Sequence, residues 1–259
     1  MKLSEKLDYH YKVFDKTKIS PDPLHFLHLY KNEQDIEVIG FLASVFAYGN
    51  VKQIINTLER IRAIVKNKPY SYVVKFTPRD YKDFEGLNHR FYSQEDIVNL
   101  FLVLNHIYKN YNSLKNLFLT FYNPHEPNLK NTISKFSNHL INTAKELTDK
   151  DKVGRGINFM SPNPEKGSAC KRMNLFLRWM VRKDELDFGF WNEIPTSKLL
   201  IPVDTHIAKI CKSLKLTKRK NVNWRMAEEI TEKLKKFDPN DPVKYDFALC
   251  HIGMRKMEF

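Results

Sequence analysis

The sequence predicts an all-α protein. Apolar residues recur at three- and four-residue spacing in one stripe after another. No confident strand alternation interrupts them, and the Gly- and Pro-containing breaks fall between stripes rather than within them. Roughly nine or ten helices fit the chain on this reading. The first clear helix starts near Asp35 and ends at Gly49-Asn50. Val51, Ile54, Ile55, Leu58, Ile61 and Val65 share the face of the next. The short stretch Tyr70–Phe76 is rich in aromatic and β-branched residues, and its periodicity leaves helix and strand open.

Further along, Ile97, Leu100, Phe101, Leu104, Ile107 and Tyr108 form one stripe, and Ile133, Phe136, Leu140, Ile141, Ala144 and Leu147 another, with Pro124 and Pro127 between them. Residues 151–167 are rich in Gly, Pro and charge, which predicts an exposed loop or a hairpin with its own role. Met173, Phe176, Leu177 and Met180 then mark the helix that carries Lys171. Residues 183–202 form a second connector. Ile207, Ile210, Cys211 and Leu214 follow, then Ala227, Ile230 and Leu234. Asp238-Pro239 and Asp241-Pro242 set up the last helix.

Composition narrows the function classes. The chain has 259 residues, 42% of them hydrophobic and 13% aromatic, which suits one large domain or two small ones with real cores. No apolar run reaches the ~20 residues that span a bilayer, and the charged start, Met1 to Asp8, lacks a signal-peptide core. A cytoplasmic location is expected, with no membrane partner. Cys170, Cys211 and Cys250 are odd in number and widely spaced. They predict buried free thiols rather than disulfides or a cysteine-only metal site. His25 and His28 form an HxxH pair without an acidic partner motif, so no metal and no cofactor are expected. The net charge of +13 favours a polyanionic partner.

The informative string is Ile201-Pro202-Val203-Asp204-Thr205-His206-Ile207. Proline imposes an extended entry, and Asp204 then stands where a helix N-cap belongs. A cap alone would explain this aspartate. Upstream, Gly167-Ser168-Ala169-Cys170-Lys171-Arg172 places a lysine near a helix start of its own. The string resembles the Val-Asp-Thr-His signature of the helix-hairpin-helix DNA glycosylases, the endonuclease III superfamily. The separation of 33 positions from Lys171 to Asp204 brings the chain closer in outline to the archaeal 8-oxoguanine glycosylases. Ala47-Tyr48-Gly49-Asn50 and the closing run 242–253 extend the likeness to about two-thirds of the chain. The overall sequence is also similar to an uncharacterised bacterial family grouped with these enzymes. There are departures. Ser161-Pro162-Asn163-Pro164-Glu165-Lys166-Gly167 has one glycine where the superfamily hairpin has two, and Lys171 stands four residues beyond it, so Lys166 rivals Lys171 as nucleophile.

The resemblance implies a two-lobed helix-hairpin-helix fold with the active site in the cleft between lobes. Residues 31–185 would form one lobe with the hairpin and Lys171. Residues 1–30 and 186–259 would form the other and present Asp204. The implied activity is base excision with lyase cleavage of the abasic site, on an oxidised purine such as 8-oxoguanine in double-stranded DNA, by a nucleoid-associated monomer. The chemistry asks for this pair of residues. A lysine amine attacks C1′ of a flipped nucleotide and forms a Schiff base, and a carboxylate accepts a proton or stabilises the electron-poor sugar. For DNA contact the implied residues are Tyr48 and Asn50 as the wedge, then Lys166, Gly167, Ser168, Arg172, Thr205 and Lys209. Arg155 and Lys212 lie near the same helix ends. Ser168 and Thr205 would open helices whose amides bind phosphate. Trp179, Trp191 and Phe188 are candidates for the base pocket, with Trp224 beside them. His206 would pack or bond the motif backbone. Two alternatives stay open: a non-catalytic helical DNA- or RNA-binding protein, and a monofunctional glycosylase for alkylated bases.

Overall fold

A computed structural model describes residues 3–149 and 154–254. The described residues are helical, with isolated β-bridges at His89–Tyr92 and Lys183–Phe188 and no named strand. In chain order the α-helices are α1 (Leu3–Val13), α2 (Glu33–Phe46), α3 (Val51–Ile64), α4 (Pro69–Lys75), α5 (Gln94–Tyr111), α6 (Leu114–Thr120), α7 (Lys130–Thr148), α8 (Arg155–Met160), α9 (Lys171–Val181), α10 (Thr205–Ser213), α11 (Trp224–Leu234) and α12 (Asp246–Met254). Short 3-10 turns join several of them. The helix prediction therefore holds, with more and shorter helices than the stripes suggest. The undecided stretch 70–76 is α4. Proline opens it at the first turn, where no amide donor is needed, and it packs against α5.

The chain divides into two compact units, one of residues 21–123 and 131–162, the other of residues 1–20, 124–130 and 163–259. The boundary near 185 expected from the sequence falls instead at 162/163. Residues 163–185 group with Asp204 because α9 is tied to the following connector and to the C-terminal segment by buried ion pairs. Arg178 meets Asp187 and Asp246, and Arg182 meets Asp184, Asp187 and Asp241. The two arginines, Asp187 and Asp246 are at most 4% exposed, so the pairs among them are desolvated and each charge depends on its partners, while Asp184 and Asp241 keep part of their surface in solvent. Residues 21–30 join α2 for a simpler reason: Pro23, Leu24, Phe26 and Leu27 are buried and their 3-10 turn packs on that helix.

In the unit of residues 21–123 and 131–162, α2 is buried along nearly its whole length. Its Glu37 is buried too, and its carboxylate has work to do. It accepts from the Tyr108 hydroxyl at 2.6 Å and from the Leu114 and Lys115 amides at 2.9 and 3.1 Å, so it caps α6. The sequence predicts an exposed loop or a hairpin with its own role for residues 151–167. Their described part contains α8, with Gly156, Ile157 and Met160 buried. A Cβ at Gly156 would lie 2.2 Å from the Asp96 carboxyl carbon, so only glycine lets α8 sit this close to the start of α5.

In the other unit, Ile201, Pro202 and Val203 run extended and buried into α10. The Ile201 amide donates to the Thr231 hydroxyl of α11. The α10 helix packs on α12, as does α1. These contacts fix the direction from which Asp204 enters its helix.

Candidate active site

Asp204 is the N-cap of α10. Its Oδ1 accepts the His206 and Ile207 amides, both at 2.9 Å. That leaves Oδ2 pointing at Lys171, whose Nζ lies 2.9 Å away. One carboxylate thus does both jobs, and each uses a different oxygen. The lysine is the first residue of α9. There the helix dipole is unfavourable to an ammonium, and Asp204 supplies the compensating charge. The α10 dipole and its amides favour a carboxylate at the cap. Burial pushes the Asp204 carboxyl up, but Lys171, the helix amides and His206 together outweigh burial and hold it below the usual carboxylate range. The side chains of Lys171 and Asp204 are 33% and 26% exposed, so both can be reached from solvent.

Cys170, the residue before the lysine, has φ +49°, a left-handed conformation that turns the chain into α9. The helix therefore opens at Lys171, not at Ser168 as the sequence suggests. The Ser168 hydroxyl instead accepts the Cys170 amide at 3.1 Å within the approach. Upstream, Asn163 accepts the Glu165 amide, and Gly167 closes a 3-10 turn with φ +83°. Lys166 is exposed on this turn, and the pairing with Asp204 falls to Lys171.

A second carboxylate belongs to this neighbourhood. Asp246 opens α12, is 3% exposed, and pairs with Arg178. Arg178 stands two turns beyond Lys171 on the same face of α9. Burial pushes the Asp246 carboxyl up to about 6, against the pull of Arg178 and of Lys171. Cys211 on α10 lies within its field. Burial and then Asp246 push that thiol up to about 12. Sequence reasoning passed over Asp246, although an aspartate inside the apolar run Tyr245–Leu249 was a readable sign of a buried charge.

Other candidates divide. Thr205 and Lys209 are exposed on the first turns of α10, as is Lys212 one turn further on. Arg172, expected at a DNA contact, is 8% exposed. His206 is exposed. Trp179 and Trp191 are buried at 0% and 1% exposure. The Trp179 indole N–H has no hydrogen-bond partner among the described residues, and Trp191 meets Phe176 edge-on. Both are core side chains with no ring face open to solvent, whereas Phe188 is half-buried beside Phe190. Trp224 is buried with its indole N–H donated to Glu228. Tyr48 and Asn50 lie in the other unit. The Asn50 side chain caps α3 through the Lys52 amide, and Tyr48 is half-buried against Arg90 and Phe159. Cys170 and Cys211 are buried, Cys250 is half-buried, and none of the three is in a disulfide among the described residues. Among the described residues no group of acidic, histidine or cysteine side chains could hold a metal, and no helix is long and apolar enough to cross a membrane.

The family described as "Protein of unknown function (DUF2400)" matches residues 22–255, which is most of the chain and includes Lys171, Asp204 and Asp246. The chain belongs to the DUF2400 family. No curated protein and no solved structure matches it.

Proposed function

We propose that this DUF2400 chain is a DNA glycosylase with abasic-site lyase activity, built on a helix-hairpin-helix glycosylase-like scaffold. It acts on an oxidised purine such as 8-oxoguanine in double-stranded DNA, as a monomer at the nucleoid. The single observation that supports this most is the 2.9 Å contact between Lys171 Nζ and Asp204 Oδ2, with both side chains open to solvent at the starts of two helices. The charge of +13 suits a phosphate backbone, and the chain's all-helical architecture is compatible with the scaffold.

The chemistry runs on these two side chains. The Lys171 ammonium passes a proton to Asp204 Oδ2. The neutral amine attacks C1′ of the flipped nucleotide, a C–N bond forms, and the bond to the base breaks. The electron pair leaves with the base, which takes the proton back from Asp204 Oδ2. Opening of the sugar then gives the Schiff base from which the 3′-phosphate is eliminated. Asp204 is fixed by two amides and needs no reorientation to accept the proton, which is the value of a capping carboxylate here.

The test is base release and strand cleavage on duplexes carrying one 8-oxoguanine. Wild-type protein should release the base and nick the strand, and Lys171→Ala should do neither. If wild-type protein releases the base without nicking and Lys171→Ala releases it as well, the enzyme is monofunctional and the lysine positional.

A further inference from the structure

The unit that lacks Lys171 and Asp204 carries a second feature of its own. His89 and Tyr92 bond to each other through both backbone pairs, at 3.0 and 2.8 Å, and leave Arg90 and Phe91 as the two central residues of a tight turn. Both ends are anchored. The His89 ring sits between the Thr57 hydroxyl at 2.9 Å and the Tyr48 carbonyl at 3.0 Å. A carbonyl only accepts, so Nε2 donates to it. The Tyr92 hydroxyl donates to the Val45 carbonyl. Arg90 is held at φ +53°, a strained setting for a residue with a Cβ. Its guanidinium lies 4.6 Å above the Tyr48 ring. Gly49 makes room for it, since a Cβ there would lie 2.6 Å from Arg90 Cδ. The turn is rigid at its base and strained at its centre, and at its tip Phe91 is 59% exposed.

Beside that tip runs a groove of about 660 Å³ lined by Phe91, Arg155, Asn158 and Phe159. The Phe91 and Phe159 rings stand 5.8 Å apart, edge to face. An aromatic wall with an arginine at its rim, in a chain of net charge +13, suits a planar, electron-rich ring attached to a phosphate backbone. We infer that the Phe91–Phe159 groove is a stacking site for an unpaired nucleobase of DNA, with Arg155 on the adjoining phosphate and Asn158 at the base edge. The inference rests on the DNA partner of the reading above but not on its chemistry.

The test compares three probes by fluorescence anisotropy: a fully paired duplex, the same duplex with one unpaired 2-aminopurine, and a single RNA strand of the same sequence. None holds a lesion or an abasic site, so a failure of the Lys171 chemistry leaves this result intact, and the reverse. Wild-type protein should prefer the unpaired probe to the paired one by about tenfold, the worth of one stacked base, and should quench its 2-aminopurine. Phe91→Ser, at an exposed position, should keep the wild-type melting temperature and paired-duplex affinity yet lose both preference and quenching. Phe91→Trp should keep them. Arg155→Gln should weaken binding and flatten its salt dependence. Equal wild-type affinity for the two duplexes, or full quenching by Phe91→Ser, overturns the site. Tighter binding of the RNA strand overturns the assignment to DNA.

Discussion

Two substitutions at Asp204 separate its two jobs. Asn at this position keeps a side-chain oxygen for the His206 and Ile207 amides, because Asn caps helices as well as Asp does. It loses only the charge opposite Lys171. That pair is about a third exposed, so its loss costs about 0.5 kcal/mol. Asp204→Ala loses the cap as well, which adds about 1 kcal/mol. For a chain of this length 1 kcal/mol moves the melting temperature by about 2–4 °C. Differential scanning fluorimetry should therefore find Asp204→Asn lower by about 1–2 °C and Asp204→Ala lower by about 4 °C. The pH dependence has a definite sign. The native Asp204 carboxyl titrates below its unfolded value, so its contribution is complete above ~4 and is lost as pH falls through the native value. The gap between wild type and Asp204→Asn should close in that acid range. Activity should behave differently. Asp204→Asn should lose about 100-fold or more in base release despite its near-native stability. An Asn protein that keeps wild-type turnover would reduce Asp204 to a cap and remove the proton acceptor from the mechanism. Equal destabilisation by Asn and Ala would show that the cap assignment is wrong.

Three further outcomes follow from buried groups. Asp246 titrates near 6 in the folded state, above its unfolded value, so it weakens the fold as pH rises from about 4 through 6. Asp246→Asn should flatten that part of the melting-temperature profile. Glu37→Ala strands the Tyr108 hydroxyl and two amides of α6 in the core and should cost about 3 kcal/mol, read as a lower urea midpoint. Cys170 and Cys211 are buried with thiols pushed up to about 12. Neither should react with a disulfide reagent at pH 8 until denaturant is added, and modification of the native protein within minutes would contradict their burial.

The helices and the Asp204 cap were legible because both depend on neighbours in sequence. Ile207, Cys211 and the rest of their stripe repeat at helical period, and a cap bonds two and three residues ahead. What escaped depends on contacts distant in sequence or on unusual backbone. The grouping of α9 with Asp204 rests on Arg178 and Arg182 meeting carboxylates as far away as Asp241 and Asp246. The start of α9 moved to Lys171 because Cys170, with no glycine to announce it, takes the left-handed conformation. The same holds for Arg90, so the turn that displays Phe91 carries no sequence signal of its kind. Trp179 and Trp191 have the residue type of a base pocket, but their helical and connector settings bury them among apolar side chains.

The central claim is that the Lys171 amine bonds to the sugar. Wild-type protein would be mixed with a duplex holding one abasic site, reduced with borohydride, digested and read by peptide mass spectrometry. The account predicts a stable protein–DNA adduct with the deoxyribose remnant on Lys171. It also predicts no adduct from Lys171→Ala and an undiminished one from Lys166→Ala. An adduct mapped to Lys166, or no adduct from the wild type, would contradict it.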